Sequence, residues 1–409
     1  MKEGINSKVM KMNNALLILG TIMRRAPVSR SELNQLLGLT QVSVINVTNA
    51  LMEAGIIVAV GNSNDKNHGR KSVVLDINEN AFYSVGVELS VGKVICGLGN
   101  SRGDILKAVE TDYDANSSVE EFIDIIEASV CNLLQEYSVD RQSVLGVGLA
   151  VPGPLDVQGG IVVNPPNFPN WKNIPIKKLL EERLGLRVCI DMETNLAALA
   201  ENFYGVSAGY KTSFFLSLFK LGVGGGLISQ ENIFHGFKDG AGEVGHMIVD
   251  PRGRKCSCGN YGCLEAMISE EYLLEQVKYL YKIGMETNFP DNLENITIEE
   301  VIQRSDTGDR VCETVVTQMA AYISLVLGNV ITMFSPELIV LGGPLTQISN
   351  RLVQEVADRI HNRPYPRHCS EIKIAKSALG SQVYVKGAIA LTFKTFLACA
   401  LPEFFKGIS

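Results

Sequence analysis

Between Gly242 and Ala266 the chain reads GEVGHMIVDPRGRKCSCGNYGCLEA. Eighteen of those residues carry His246, Cys256, Cys258 and Cys263. One imidazole and three thiolates form a closed tetrahedral ligand set for a structural zinc ion, one per chain, with no position left for a reactive water. Gly259 and Gly262 let the backbone fold tightly around such an ion. Glu243 and Glu265 flank the set, so metal and carboxylates arrive together, as they do where a metal props up a binding site. Disulfides are the plain alternative, and they fit less well. The chain has nine cysteines, an odd number. The other six (Cys96, Cys131, Cys189, Cys312, Cys369 and Cys399) are scattered, mostly among apolar neighbours, as buried free thiols are. The first residues do not read as a signal peptide, which points to the cytoplasm rather than an oxidising compartment.

The elements that must position these residues follow from length and patterning. A chain of 409 residues, 46% hydrophobic and 20% charged, is expected to form two or three domains with large cores. The longest apolar run, Tyr322 to Phe334, is broken by Ser324, Gly328 and Asn329, and does not read as a bilayer span, so no membrane partner is expected. Residues 1–80 hold nine Lys/Arg against six Asp/Glu, a balance of +3, while the remainder carries −10. A mildly basic head on an acidic body suits a DNA-reading module attached to a small-molecule domain.

Within residues 1–80 a helix spans Asn13 to Arg25 and stops at Pro27. Ser29-Arg30-Ser31-Glu32 is a capping box that opens a short helix ending near Gly38. Thr40 caps the next helix, Gln41 to Ala54. Two helices joined by a Gly-containing turn make a helix-turn-helix. The second helix turns Val44, Val47 and Leu51 inward and offers Gln41, Ser43, Asn46 and Asn49 outward, residue types that pair with base edges in the major groove. The β-rich segments Ile56–Val60 and Val73–Ile77 flank a polar tip containing Arg70 and Lys71, a winged hairpin whose cations suit phosphate or the minor groove.

From Tyr83 the pattern changes to a β-meander, then a helix from Val119 to Tyr137, then the buried strand VLGVGLAVPG. A strand at Arg187–Ile190 leads into a helix from Asn195 to Asn202. The pattern restarts at Thr212, and after the cysteine segment come further helices, the strand ELIVLGGPL and a last helix from Val385 to Leu397. Strand–helix alternation of this kind is an α/β architecture. The repeat predicts an internally duplicated fold with a ligand cleft between lobes. The lobes are expected at 81–195 with 385–409, and at 196–384 with the zinc loop.

SRSELNQLLGLTQVSVINVTNALMEAGII, VPGPLD, NPPNFPNW, ETNLAALAE, GVGGG, GAGEVGH and CSCGNYGCLEA together resemble the ROK family, which groups sugar-responsive repressors with sugar kinases. The resemblance covers essentially the whole chain, and the winged head marks the repressor branch. It implies an actin-like, duplicated sugar-kinase fold behind a winged helix-turn-helix. It implies that His246, Cys256, Cys258 and Cys263 hold zinc, and that Glu243, Glu265 and His246 contact a sugar. By the same resemblance Gly153, Asn167 and Glu193 are further hydroxyl partners.

The departures from the kinase pattern carry as much meaning. Where sugar kinases read Asp-x-Gly-Gly-Thr, this chain reads Glu88-Leu89-Ser90-Val91-Gly92. Lys220-Leu221 stand where the second phosphate loop has Gly-Thr, and Met192-Glu193 replace the Asn-Asp pair that carries the catalytic base. Both phosphate cradles and the base are altered, so the expectation is a repressor rather than an enzyme. It would read a palindromic double-stranded operator as a homodimer or tetramer and answer to a small sugar or sugar phosphate. The competing readings are an active ATP-dependent kinase with a DNA-binding head, and a repressor controlled by a partner protein.

Overall fold

The computed structural model describes residues 7–63, 72–219, 222–289, 293 and 295–404. Arg70, Lys71, Lys220 and Leu221 therefore lie outside the described residues. The chain divides into two compact units, Met1–Leu196 with Tyr384–Ser409, and Ala197–Val383.

The head opens the first unit with α1 (Ser7–Arg25), β1 (Val28–Ser29), α2 (Arg30–Leu37), α3 (Gln41–Glu53), β2 (Ile57–Ser63) and β3 (Ser72–Ile77). The capping box forms as its residues dictate. The Ser29 hydroxyl accepts the Glu32 amide at 3.2 Å, and the Glu32 carboxylate accepts the Ser29 amide at 2.7 Å. Gly38 ends α2, and the Thr40 hydroxyl caps α3 through the Ser43 amide. Ile18, Leu19, Ile22, Leu33, Val44, Val47 and Leu51 bury the facing sides of the three helices. The wing has a third strand that the sequence pattern misses. Val28 and Ser29 pair with Leu75 and Val74, but two residues behind a proline are too few to show a period. At the base of the wing Asp76, buried, accepts from Arg102 Nη2 at 2.8 Å, which ties the head to the lobe that follows.

That lobe contains β4 (Tyr83–Ser90), β5 (Gly92–Asn100), β6 (Ile105–Tyr113), α4 (Val119–Glu136), β7 (Val144–Val151), β8 (Leu155–Asp156), β9 (Ile161–Val162), α5 (Ile176–Leu184), β10 (Val188–Met192) and α6 (Glu193–Tyr204). Its sheet order is β10-β7-β4-β5-β6, an antiparallel meander with two parallel strands added at one side.

The second unit repeats the scheme. It holds β11 (Thr212–Phe219), β12 (Gly222–Ser229), β13 (Asn232–Ile233), α7 (Leu264–Met267), α8 (Glu270–Lys282), α9 (Ile298–Ser305), α10 (Arg310–Phe334), β14 (Leu338–Gly342), α11 (Pro344–Ile348), α12 (Asn350–His361) and β15 (Lys373–Lys376). Its order, β13-β12-β11-β14-β15, is the same permutation of meander and parallel strands. Two sheets of one topology in one chain are the internal duplication expected of an actin-like fold. The last helix, α13 (Val383–Phe404), returns to pack on the first sheet.

One sequence expectation is corrected. Two helical stretches, Arg310–Phe334 and Gly380–Pro402, are long and apolar enough to cross a bilayer. The polar interruptions in α10 are absorbed by the helix itself: the Ser324 hydroxyl donates to the Ala320 carbonyl at 2.7 Å. The most apolar windows of the two stretches are 61% and 72% buried inside the fold, as core helices are.

Candidate metal centre and recognition helix

The glycine-rich strand β12 explains how the GAGEVGH segment reaches its place. Gly225 donates its amide to the Gly242 carbonyl at 2.9 Å. A Cβ on Gly242 would stand 2.2 Å from the Gly225 carbonyl oxygen, so the two backbones meet at a distance no side chain allows. Beyond it the chain forms a compact knuckle closed by the bridges Ile248–Cys263 and Lys255–Tyr261. Gly262 adopts φ +69°, and a Cβ there would lie 1.5 Å from the Asp250 carbonyl oxygen. Only glycine fits.

This knuckle brings His246, Cys256, Cys258 and Cys263 together, with one ligand atom of each within 4.8 Å of the others. Cys258 Sγ and Cys263 Sγ are 3.7 Å apart, and Cys256 Sγ is 3.6 Å from His246 Nδ1. Zn–S bonds of ~2.3 Å place tetrahedral sulfurs about 3.8 Å apart, so these two donor pairs are compatible with the edges of a zinc tetrahedron. They are too distant for disulfides, whose sulfurs are ~2.05 Å apart. Burial pushes the Cys263 thiol up to about 12, whereas the Asn260 amide holds the Cys258 thiol below its ordinary value. A cation that keeps each sulfur as thiolate removes that conflict.

With Nδ1 turned to the cysteines, His246 points Nε2 toward Glu243, whose Oε2 is 4.0 Å away. Glu243 is exposed and His246 half-buried. The gap between them exceeds a hydrogen bond and matches a bridging donor–acceptor group such as a hydroxyl. Glu265, on α7, reaches back to β12: its carboxylate accepts the Val223 amide and the Ser257 hydroxyl, each at 3.4 Å. The second unit thus holds Glu243 beside His246, and Glu265 beside Ser257, next to the candidate metal ligands.

Gly153, Asn167 and Glu193 belong to the first unit. Gly153 sits half-buried in the turn between β7 and β8. Asn167 is exposed on a loop anchored by its neighbours Phe168 and Trp171. Both of these are fully buried against Phe122 and Tyr113, and the Trp171 indole donates to the Tyr113 hydroxyl at 3.1 Å. Glu193 is the first residue of α6, half-buried where β10 ends. A residue the sequence treats only as a departure proves unusual. Glu88 is 5% exposed, its Oε1 accepts the Ser90 hydroxyl at 2.6 Å, and its Oε2 has no hydrogen-bond partner among the described residues. Burial pushes its carboxyl up to about 7.

On α3, Gln41 and Asn46 are exposed on the outer face. Ser43 is half-buried and its hydroxyl accepts from the Asn14 amide nitrogen at 3.1 Å, tying α3 to α1. Asn49 Oδ1 accepts from Arg30 Nη2 at 2.6 Å. Sequence reasoning read the polar side chains of this face and passed over Val42, which is 67% exposed.

The ROK family model matches residues 84–395, about three-quarters of the chain. The chain belongs to the ROK family. It is 30% identical to the xylose repressor of Caldicellulosiruptor bescii, over 98% of this chain and 99% of that one, so the similarity includes the head. The crystal structure of a ROK family transcriptional regulator, a homologue of the Escherichia coli Mlc protein, superposes with a TM-score of 0.81 at 25% identity, covering 97% of this chain and all of the other. A ROK hexokinase from Thermus thermophilus superposes with a TM-score of 0.62 at 25% identity, covering 76% of this chain and 97% of the enzyme. The hexokinase therefore matches less of the chain than the regulator does.

Proposed function

We propose that this chain is a transcriptional repressor of carbohydrate-utilisation genes whose operator binding answers to a sugar. The observation that carries the reading is one chain holding both parts: a helix-turn-helix with an exposed Gln41/Asn46 face, and a carboxylate–imidazole pair fixed by a Cys3His cluster. The similarity to a xylose repressor over 98% of the chain supports it. Arg70 and Lys71, between β2 and β3 in the sequence, are the cations proposed to touch the DNA backbone. The working form is a cytoplasmic homodimer whose two recognition helices read a palindrome with half-sites one helical turn, or a multiple, apart.

Zinc is structural here. His246 and the three cysteines hold it, and its chemistry is to fix the loop and orient the imidazole so that Nε2 stays available to a ligand. Glu243, His246 Nε2 and Glu265 are the sugar contacts of the second unit; Gly153, Asn167 and Glu193 remain hydroxyl-binding candidates within the first. Carboxylates and amides suit a sugar because each bridges hydroxyls. The sugar acts by binding the DNA-free and DNA-bound forms with different affinity; without that difference it shifts nothing.

ATP-dependent transfer is not part of this function. The β4–β5 turn carries Val91, 44% exposed, where a phosphate loop needs bare backbone, and Glu88 puts a buried acid beside it. Substituting Glu243→Ala tests the assignment. Operator affinity is expected to stay within about two-fold of the parent while the response to sugar is lost, measured by fluorescence anisotropy on a labelled operator. A Glu243→Ala protein that still responds to sugar contradicts the assignment.

A further inference from the structure

An exposed valine on a recognition surface is an oddity that the fold does not explain. The inward side of α3 is complete without it: Val44, Val47, Thr48, Ala50 and Leu51 are all buried. Val42 stands on the opposite side, 67% exposed, between Gln41 and Asn46, which are exposed as well. Valine is a poor helix former and gains nothing by facing water. The other side chains of this surface are sorted by their contacts. Ser43 is held by Asn14, and Asn49 by Arg30, whereas Gln41, Val42 and Asn46 have no such contact among the described residues. The electrostatics favour the same end of the helix. No acid lies in the first turn of α3, and its one acid, Glu53, is at the far end. The head as a whole carries a balance of +3 toward a polyanion.

We propose, resting on the repressor reading, that Val42 reads a thymine in each operator half-site through the thymine C5-methyl group, about two base pairs from an adenine read by Asn46. In the major groove only thymine presents a methyl group, and apolar side chains recognise it by contact. Asn pairs bidentately with adenine N6 and N7. Four residues of helix rise about 6 Å, close to two base-pair steps of ~3.4 Å, so the thymine and the adenine fall about two pairs apart. Ser43 and Asn49 then act as positioning residues, holding α3 against α1 and α2.

The test uses the full chain and a random-sequence duplex library, followed by the selected duplex with each thymine replaced in turn by uracil, which deletes the C5-methyl alone. One position per half-site is expected to lose affinity about four-fold, the worth of one apolar carbon group. Val42→Ala, a change at an exposed site, is expected to abolish that uracil penalty while the other thymines keep their own behaviour. Selection of a duplex with no uracil-sensitive position overturns the inference and leaves the repressor reading standing, as does a penalty that persists in Val42→Ala. Failure to enrich any duplex overturns the repressor reading, and this inference with it.

Discussion

The four candidate metal ligands bring one donor atom each within 4.8 Å of the others, and two of the pairs, at 3.6 and 3.7 Å, match the edge of a zinc tetrahedron. Cys258 is exposed, so its replacement by serine removes a ligand without disturbing a core. Cys258→Ser is expected to lower zinc content from about one per chain to near zero, read by mass spectrometry of the purified protein; unchanged content would remove Cys258 from the ligand set. Glu88 supports a prediction of a different kind. Burial raises its carboxyl from an ordinary 4.5 to about 7, so the folded state keeps the proton longer than the unfolded state. Stability contributed at low pH is then lost as pH rises from about 4.5 to about 7, up to roughly 3 kcal/mol. Glu88→Gln is expected to raise the melting temperature more at pH 8 than at pH 5. Equal effects at both values would contradict the raised carboxyl. The cluster of His246, Cys256, Cys258 and Cys263 was legible in the sequence because residue type and spacing single it out as a candidate metal site. Glu88 was legible only as a departure from a motif, since neither its burial nor its unpaired oxygen leaves a mark in the order of residues.

At the scale of elements, Gly242 and Gly245 of GAGEVGH let that segment approach the β12 backbone at Gly225 and Val223, and a side chain on Gly225 would meet the Phe214 ring. Gly262→Ala forces a Cβ into the Asp250 carbonyl and an unfavourable φ at once. It is expected to cost about 2–4 kcal/mol and to weaken zinc retention, seen as a lower melting temperature and faster release to a chelator. A Gly262→Ala protein with parental melting and metal retention would contradict this packing. The capping box, the recognition helix and the meanders were readable because caps and periodicity are local signals. The strand at Val28 and Ser29 was not, because two residues carry no period and only the wing gives them a partner. The apolar length of α10 and α13 was underestimated for a related reason. Serine and glycine within a helix look like interruptions until the helix supplies the hydrogen bond, as Ala320 does for Ser324.

For the whole molecule, the two sheets of equal topology are the duplication that strand–helix alternation foretold. The pairing of a DNA head with a sugar-type body is what separates the repressor reading from the kinase reading. The similarity to a repressor runs through the head, whereas the hexokinase matches 76% of the chain. We read the departures at Glu88, Val91 and Glu193 as arguing on the same side, because hydroxyl recognition tolerates these residues better than a phosphate cradle would. The most direct measurement is operator affinity of the full chain, by anisotropy on its selected duplex, across a panel of free sugars with and without ATP. At least one free sugar is expected to change the dissociation constant by ten-fold or more, about 1.4 kcal/mol of coupling, with no ATP required and none consumed. Operator binding unmoved by every sugar, or ATP consumed in step with one of them, would contradict the account.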